Sequence, residues 1–305
     1  MNREIIIFGK SSILSKNFVN YIKKRNESLI FVTREKHNSN DIKCDLSKKL
    51  MPNTIRKKFF KIEKASKNID KVLILFAWSG GPRSNYLEGD SWTINSNIIF
   101  NFLEICKLLA PKKLIFLSSA GAIYPQNKKT FFTELDKTLP TSNYGKQKIQ
   151  AEILIENFAR LNNVEYTILR VSSAYGYDSR FSEQGVINKW LYSTIKNKNL
   201  KLYNSKSSLI NFISFEQISE AILLSINHKL NGIYNIGSEN SVSLQSIIDI
   251  ISKLSNKYPD LDIINQEVRY FNIDVSKFYK KTGVLFYFNL EENIKNLYEL
   301  IKRNI

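Results

Sequence analysis

The segment KKLIFLSSAGAIY (Lys112–Tyr124), followed one loop later by TSNYGKQKIQAE (Thr141–Glu152), decides how this chain is read. The first reads as a buried strand that ends in two hydroxyls, Ser118 and Ser119. The second opens a helical pattern with Tyr144 and Lys148 at i and i+4, on one helix face. A cation beside a phenol lowers its pKa from about 10 toward neutrality, which makes it a usable proton acceptor and donor. Small hydroxyls at a strand end can polarise a substrate oxygen. The spacing alone is weak, because Tyr192 with Lys196 and Tyr298 with Lys302 repeat it. A solvated helix face accounts for those two pairs. Only Tyr144 follows a strand of this kind.

Working outward, the first half alternates strand and helix patterns. Glu4–Gly9, Ser28–Arg34, a short run near Cys44, Lys71–Ala77, Lys113–Leu117 and Tyr166–Val171 read as strands. Helical spacing covers the stretch after Gly9, Thr93–Leu109 and Tyr144–Leu161. Apolar runs separated by helices predict an α/β fold with a doubly wound parallel sheet, a Rossmann domain over residues 1–176. After Gly176 short strands (Leu200–Tyr203, Asn211–Ile213, Ile233–Ile236) mix with helices (Phe215–Asn227, Ser243–Leu254, Leu290–Lys302). Residues 177–305 are expected to form a smaller α/β substrate lobe, partly interleaved with the first domain.

Composition narrows the classes. The 305 residues suffice for a large core. The opening MNREIIIFGK has no long apolar run with a small-residue cleavage site, and no uncharged stretch is long enough to span a bilayer. Cys44 and Cys106 are too few for a disulfide framework, which fits a reducing, cytoplasmic setting. With His37 and His228 as the only histidines, no metal site is expected. The net charge of +17 attracts anions, but the lysines are spread along the chain, as on solvated helix faces. No basic-aromatic nucleic-acid module is present, so no nucleic-acid partner is expected. Weak association with an anionic membrane surface stays open as a consequence of the charge.

The turn after the first strand, FGKSSILSKNF, has the place of a dinucleotide-binding loop. There glycines let the backbone approach a pyrophosphate at a helix N-terminus. Gly9 keeps the tight turn, while Ser12 and Ser15 stand where further glycines would be. An acid closing the second strand would accept from a ribose 2′-hydroxyl and favour NAD. This chain has Thr33 and Arg34 there and Lys10 in the first loop, which leans toward the 2′-phosphate of NADP. Asp45 is an adenine-side acceptor or a turn residue.

With these residues together, the chain resembles the extended short-chain dehydrogenase/reductase superfamily, and within it the NAD(P)-dependent sugar epimerase/dehydratase family. FLSSAGAIYP is similar to S-S-x-x-x-V-Y-G, YGKQKIQAE to Y-G-x-S-K-x-x-x-E, and ILRVSSAYG to L-R-P-x-N-V-Y-G. GIYNIGSENSVSL, DVSKFYKKTG and LEENI match later stretches in order, and Asn95 matches a structural asparagine. The resemblance implies that Tyr144 is the acid/base, that Lys148 holds the nicotinamide ribose, and that Ser119 with Ser118 binds the reacting oxygen. Ala77 and Asn95 complete the implied cofactor side. It also implies a phosphate-linked sugar substrate, a homodimer through helices such as Thr93–Leu109 and Tyr144–Leu161, and a setting in surface polysaccharide or glycoconjugate synthesis.

Departures shape the expected reaction. Ile210 and Ile264 stand where nucleotide-sugar relatives carry arginines, and Ser173 stands for an asparagine; Lys201, Lys206 and Arg269 are nearby cations. Ala120, Gly121 and Ala122 supply no acid after the strand-end hydroxyl, against 4,6-dehydration. SSAGAIY and QGVINKW look most like sugar 4-epimerases. Thr33 and Arg34 point instead to an NADPH-dependent 4-keto-sugar reductase. A catalytically weak dinucleotide-binding relative is the third reading.

Overall fold

A computed structural model describes residues 3–23, 25, 27–35, 38, 41–65, 69–81, 89–125, 131–177 and 185–304. His37 and Gln184, which the sequence reading used, lie outside the described residues. The first strand, β1 (Arg3–Phe8), buries Ile5, Ile6, Ile7 and Phe8 completely, so both of its faces are covered. That is the physical meaning of an unbroken apolar run. After it come α1 (Ile13–Ile22), β2 (Ser28–Thr33), β3 (Asp41–Lys43), α2 (Pro52–Ala65), β4 (Asp70–Leu75), α3 (Gly89–Leu109), β5 (Lys113–Ser119) and the single turn α4 (Ala120–Ile123). The chain continues through β6 (Phe131–Phe132), α5 (Asn143–Asn162), β7 (Glu165–Val171), β8 (Ser173–Tyr175), α6 (Val186–Ile195), β9 (Leu200–Leu202) and β10 (Leu209–Ser214). It ends with α7 (Phe215–Asn227), β11 (Gly232–Ile236), β12 (Ser241–Ser243), α8 (Leu244–Ser255), β13 (Leu261–Ile263), β14 (Tyr270–Ile273), α9 (Ser276–Thr282) and α10 (Leu290–Arg303).

Seven strands form one sheet in the order β11-β7-β5-β4-β1-β2-β3. The pairs β1–β2, β1–β4, β2–β3 and β4–β5 are parallel. The order runs outward from β1 in both directions, so the topological switch point lies between β1 and β4, where such sheets bind ligands at the strand carboxyl ends. On the helices that cover the sheet, apolar stripes meet the strands: Phe59 of α2 and Phe102 of α3 are fully buried, and Phe102 meets the Phe8 ring edge-on at 5.0 Å. Helix α5 ends at Asn163 in the left-handed region, with the Asn163 N–H donating to the Ala159 carbonyl.

The chain divides into two compact units, Met1–Ile123 with Thr138–Arg170 and Ser219–Tyr234, and Tyr124–Lys137 with Val171–Ile218 and Asn235–Ile305. The sequence reading places one boundary at 176; by contacts, Ser219–Tyr234 lies with the first unit and Tyr124–Lys137 with the second. The second unit has a sheet in the order β12-β10-β14-β6, with β8 also on β10, and a two-stranded sheet β13-β9. Its α10 buries Ile294, Leu297, Tyr298 and Ile301, one face at helical spacing. Tyr298 is therefore a core residue rather than part of a solvated face, with the Lys302 ammonium 5.9 Å above its ring. Among the described residues, no helix is long and apolar enough to cross a membrane.

Candidate active site

The carboxyl ends of β1 and β4 are built around Gly9. Its φ is +94°, and a Cβ there would lie 2.5 Å from the Ala77 backbone nitrogen. The Phe8 carbonyl accepts from both the Phe76 and Ala77 N–H groups, at 2.8 and 2.9 Å, and draws the two strand ends together. Ser12 is the N-cap of α1 in extended backbone and makes no side-chain cap, so the first N–H groups of α1 are left for a ligand. An uncapped helix end beside a close-packed glycine turn fits a dinucleotide pyrophosphate. The fit extends to Gly9, Ser12 and Ala77 but not to Ser15. Ser15 is fully buried, so it packs the helix onto the sheet instead of facing a phosphate. Gly9→Ala should destabilise the protein by at least about 2 kcal/mol, from left-handed backbone strain plus the clash with Ala77. Denaturant unfolding checks it; an unchanged midpoint would contradict the packing described.

The remaining cofactor-side residues divide. Arg34 is exposed just beyond β2. Lys10 is paired with the buried Asp41 carboxylate at 2.9 Å and lies 4.6 Å from the Phe31 ring centroid, so its charge is already engaged. Asp45 accepts from the Ser47 N–H at 3.1 Å and hydroxyl at 2.6 Å, which makes it a turn residue here. Asn95 spends its whole amide on the scaffold. It accepts from the Ser79 N–H at 2.8 Å and donates to the Ser79 carbonyl at 3.0 Å and to Gln147 Oε1 at 2.6 Å. It thereby fixes the loop after β4 to α3 and α5 and has no donor left for a cofactor.

Helix α5 starts at its N-cap Ser142, whose hydroxyl accepts from the Gly145 N–H at 3.1 Å. Gly145 follows Tyr144 because a Cβ there would lie 2.2 Å from the Ala122 carbonyl oxygen. This close approach brings the Tyr144 phenol to Ser119, which hydrogen-bonds it. Ser118, by contrast, faces inward and donates to Glu152. Of the two strand-end hydroxyls, only Ser119 is placed with the phenol.

Lys148 is buried and donates to the Leu117 carbonyl at 2.8 Å, with its ammonium 5.5 Å from the Tyr144 ring centroid. Burial pushes the Tyr144 phenol up to about 12, offset in part by the Ser119 bond. Burial also pulls Lys148 down to about 7, against the pull of the Glu152 charge. The phenol is thus raised where the sequence suggested lowering, because burial disfavours the phenolate.

Glu152 was missed as a site residue, although it closes the quoted YGKQKIQAE stretch. Its carboxylate is clamped by Arg170 of β7, with Nη2 at 2.8 Å and Nε at 3.2 Å. Trp78, which nothing in the sequence marked, lies with its ring centroid 4.0 Å from the Lys148 ammonium. In the second unit, Ile210 is buried and Ile264 exposed where arginines were sought. Lys201 is exposed, and Lys206 donates to the Tyr258 hydroxyl at 3.3 Å. Burial lowers the Arg269 guanidinium to about 10, and it lies 5.1 Å from the Phe271 ring centroid. Among the described residues no group of three or more His, Cys, Asp or Glu side chains could hold a metal.

The chain is similar to proteins of known activity. UDP-glucuronate 4-epimerase of Thermodesulfobacterium geofontis is 27% identical over 246 residues, 78% of this chain and 74% of that protein. The dTDP-4-dehydro-6-deoxyglucose reductase of Escherichia coli is 31% identical over 148 residues, 48% of this chain and 46% of that protein. The matched stretches thus span from about half to three quarters of those proteins. The crystal structure of UDP-glucose 4-epimerase from Thermotoga maritima, with UDP-glucose, superposes with a TM-score of 0.83 at 20% identity, covering 98% of this chain and 99% of that one. The sequence profile of the NAD dependent epimerase/dehydratase family matches residues 5–237, from β1 through the Tyr144 helix to the end of β11, and the chain belongs to that family.

Proposed function

We propose that the chain is a sugar 4-epimerase acting on a nucleoside-diphosphate sugar, with a nicotinamide dinucleotide at the Gly9 turn. The observation that carries this reading is the Tyr144 phenol, hydrogen-bonded to Ser119 at the carboxyl end of β5 and one helical turn from buried Lys148. When bound, the nicotinamide supplies the carbon that takes and returns hydride. Tyr144 then moves the proton of the sugar hydroxyl, and Ser119 orients the same oxygen. Lys148 lends positive charge to the phenol and hydrogen bonds to the ribose. Gly9, Ser12, Ala77 and the N-terminus of α1 hold the pyrophosphate. A second copy is the partner we assign to the exposed apolar residues Phe100 of α3 and Ile153 of α5.

The UDP-glucuronate relative favours a 4-epimerase, and the setting this suggests is glycoconjugate synthesis. A second reading, reduction of a 4-keto sugar by NADPH, is favoured by the exposed Arg34 and by the reductase relative. Lys10 weakens it, because its charge is held by Asp41. The two readings separate when purified protein is incubated with UDP-glucose or UDP-glucuronate without added dinucleotide and followed by proton NMR. Inversion at C4 with no net redox change is expected. No inversion, with NADPH consumed stoichiometrically by a 4-keto sugar, would replace the epimerase by the reductase.

A further inference from the structure

Buried lysines ordinarily keep their charge through a carboxylate in contact. Among the described residues no carboxylate forms an ion pair in direct contact with Lys148, although the Glu152 charge acts on it from further off. The carboxylate in its field, Glu152, is committed to Arg170 and Ser118, and one Lys148 N–H goes to the Leu117 carbonyl. The close surroundings of the ammonium are aromatic instead. Its nitrogen lies 4.0 Å from the Trp78 ring centroid, 4.7 Å from that of Phe116 and 5.5 Å from that of Tyr144. The Trp78 and Phe116 rings support each other at 5.7 Å, tilted by 57°. The Trp78 indole N–H is buried and makes no hydrogen bond among the described residues, so what the side chain offers here is its π face.

We propose that Trp78 is a positioning residue: its indole face, backed by Phe116, holds the Lys148 side chain at the end of β5 and keeps it in the ammonium form. A cation within about 6 Å of an aromatic centroid is attracted by the ring quadrupole, and more strongly where water is excluded. The effect deepens the proposed function and rests on it in one respect, the role of Lys148 beside Tyr144. Among the described residues, the titratable and charged groups facing Lys148 are Tyr144 and Glu152 of its own helix, with Arg170 of β7 bound to Glu152. Strand β5 turns Phe116 toward the ammonium, Ser118 toward Glu152 and Ser119 toward the phenol, and the loop after β4 turns Trp78 to the ammonium. Burial, opposed by the Glu152 charge, leaves Lys148 at about 7, so a further contribution from the rings at 4.0 and 4.7 Å falls where it decides the charge at neutral pH. The ammonium is lost as pH rises through the lysine midpoint, and removing the indole moves that loss to lower pH.

The test is an NMR titration of protein labelled with carbon-13 at the lysine ε position. The Lys148 signal is assigned by its absence in Lys148→Met. Trp78→Leu should lower the Lys148 midpoint by about one pH unit, and Trp78→Phe by less. If Trp78→Leu does not fold, fluorinated tryptophans decide, because fluorine weakens the ring quadrupole at nearly constant shape. The midpoint should then fall stepwise with the number of fluorines. An unchanged midpoint in folded Trp78→Leu, or across the fluorinated series, overturns the proposal. In active protein the alkaline limb of the pH–rate profile should move by the same interval, whereas a merely structural role would lower the rate equally at all pH. A shifted midpoint in a protein that converts no sugar removes the epimerase reading and leaves the aromatic clamp standing.

Discussion

Tyr144→Phe is expected to lower sugar turnover by roughly 10²–10⁴-fold while leaving the fold and dinucleotide binding in place. The substitution removes one oxygen and keeps the ring, which packs beside the Lys148 ammonium. The hydroxyl lost is the one that Ser119 bonds, so stability should change by about 1 kcal/mol or less. The rate change should be much larger, because the phenol is the group proposed to carry the proton and its closest neighbours are engaged elsewhere or apolar. Ser118 is turned to Glu152, Lys148 donates to Leu117, and Ala120 carries no polar side chain. Turnover is read by NMR of the sugar products, and the bound dinucleotide by mass spectrometry after denaturation. A variant that turns over at the wild-type rate would remove Tyr144 from the chemistry. A variant that also loses its dinucleotide would show that the phenol serves binding instead.

Much of the scaffold was legible because apolar runs carry their own signal. Strands β1, β4 and β5 and helices α3 and α5 fall where Glu4–Gly9, Lys71–Ala77, Lys113–Leu117, Thr93–Leu109 and Tyr144–Leu161 place them, within a few residues. Helix α2 carries no clear sequence signal because its exposed face is dominated by charge, with Ile55, Phe59 and Ile62 buried. Strands of two or three residues, such as β6, β8 and β12, are too short to show a period of two and take their existence from their neighbours. At the site, spacing specified that Tyr144 and Lys148 share a face, and the glycine turn specified where β1 ends. It could not specify direction. Ser118 and Ser119 are adjacent, and the pleat sends one inward and one to the phenol. Nor could it weigh burial against charge, which is why the phenol is raised where the neighbouring ammonium suggested lowering. Lys10, Ser15 and Asn95 were assigned to the cofactor by position, and their atoms are bound or buried elsewhere.

The Glu152–Arg170 pair should give the largest stability effect of any single substitution near the site. Both side chains are almost wholly buried, with side-chain exposures of 4% and 7%. Removing one partner leaves an uncompensated charge in a poorly solvated place, so Glu152→Gln or Arg170→Met should cost about 3–5 kcal/mol. The double replacement Glu152→Leu with Arg170→Met should recover most of that loss, because it removes both desolvation penalties together. Chemical denaturation of the four proteins in a cycle checks the prediction, and single variants that lose less than about 1 kcal/mol would refute it. The pair also reaches the site. Glu152 is the charge that holds Lys148 up against burial, so removing it should draw the lysine further below about 7. A rescued double variant would therefore regain its fold without regaining the ammonium at neutral pH. The carboxylate supplies a field at Lys148 that a leucine in its place cannot.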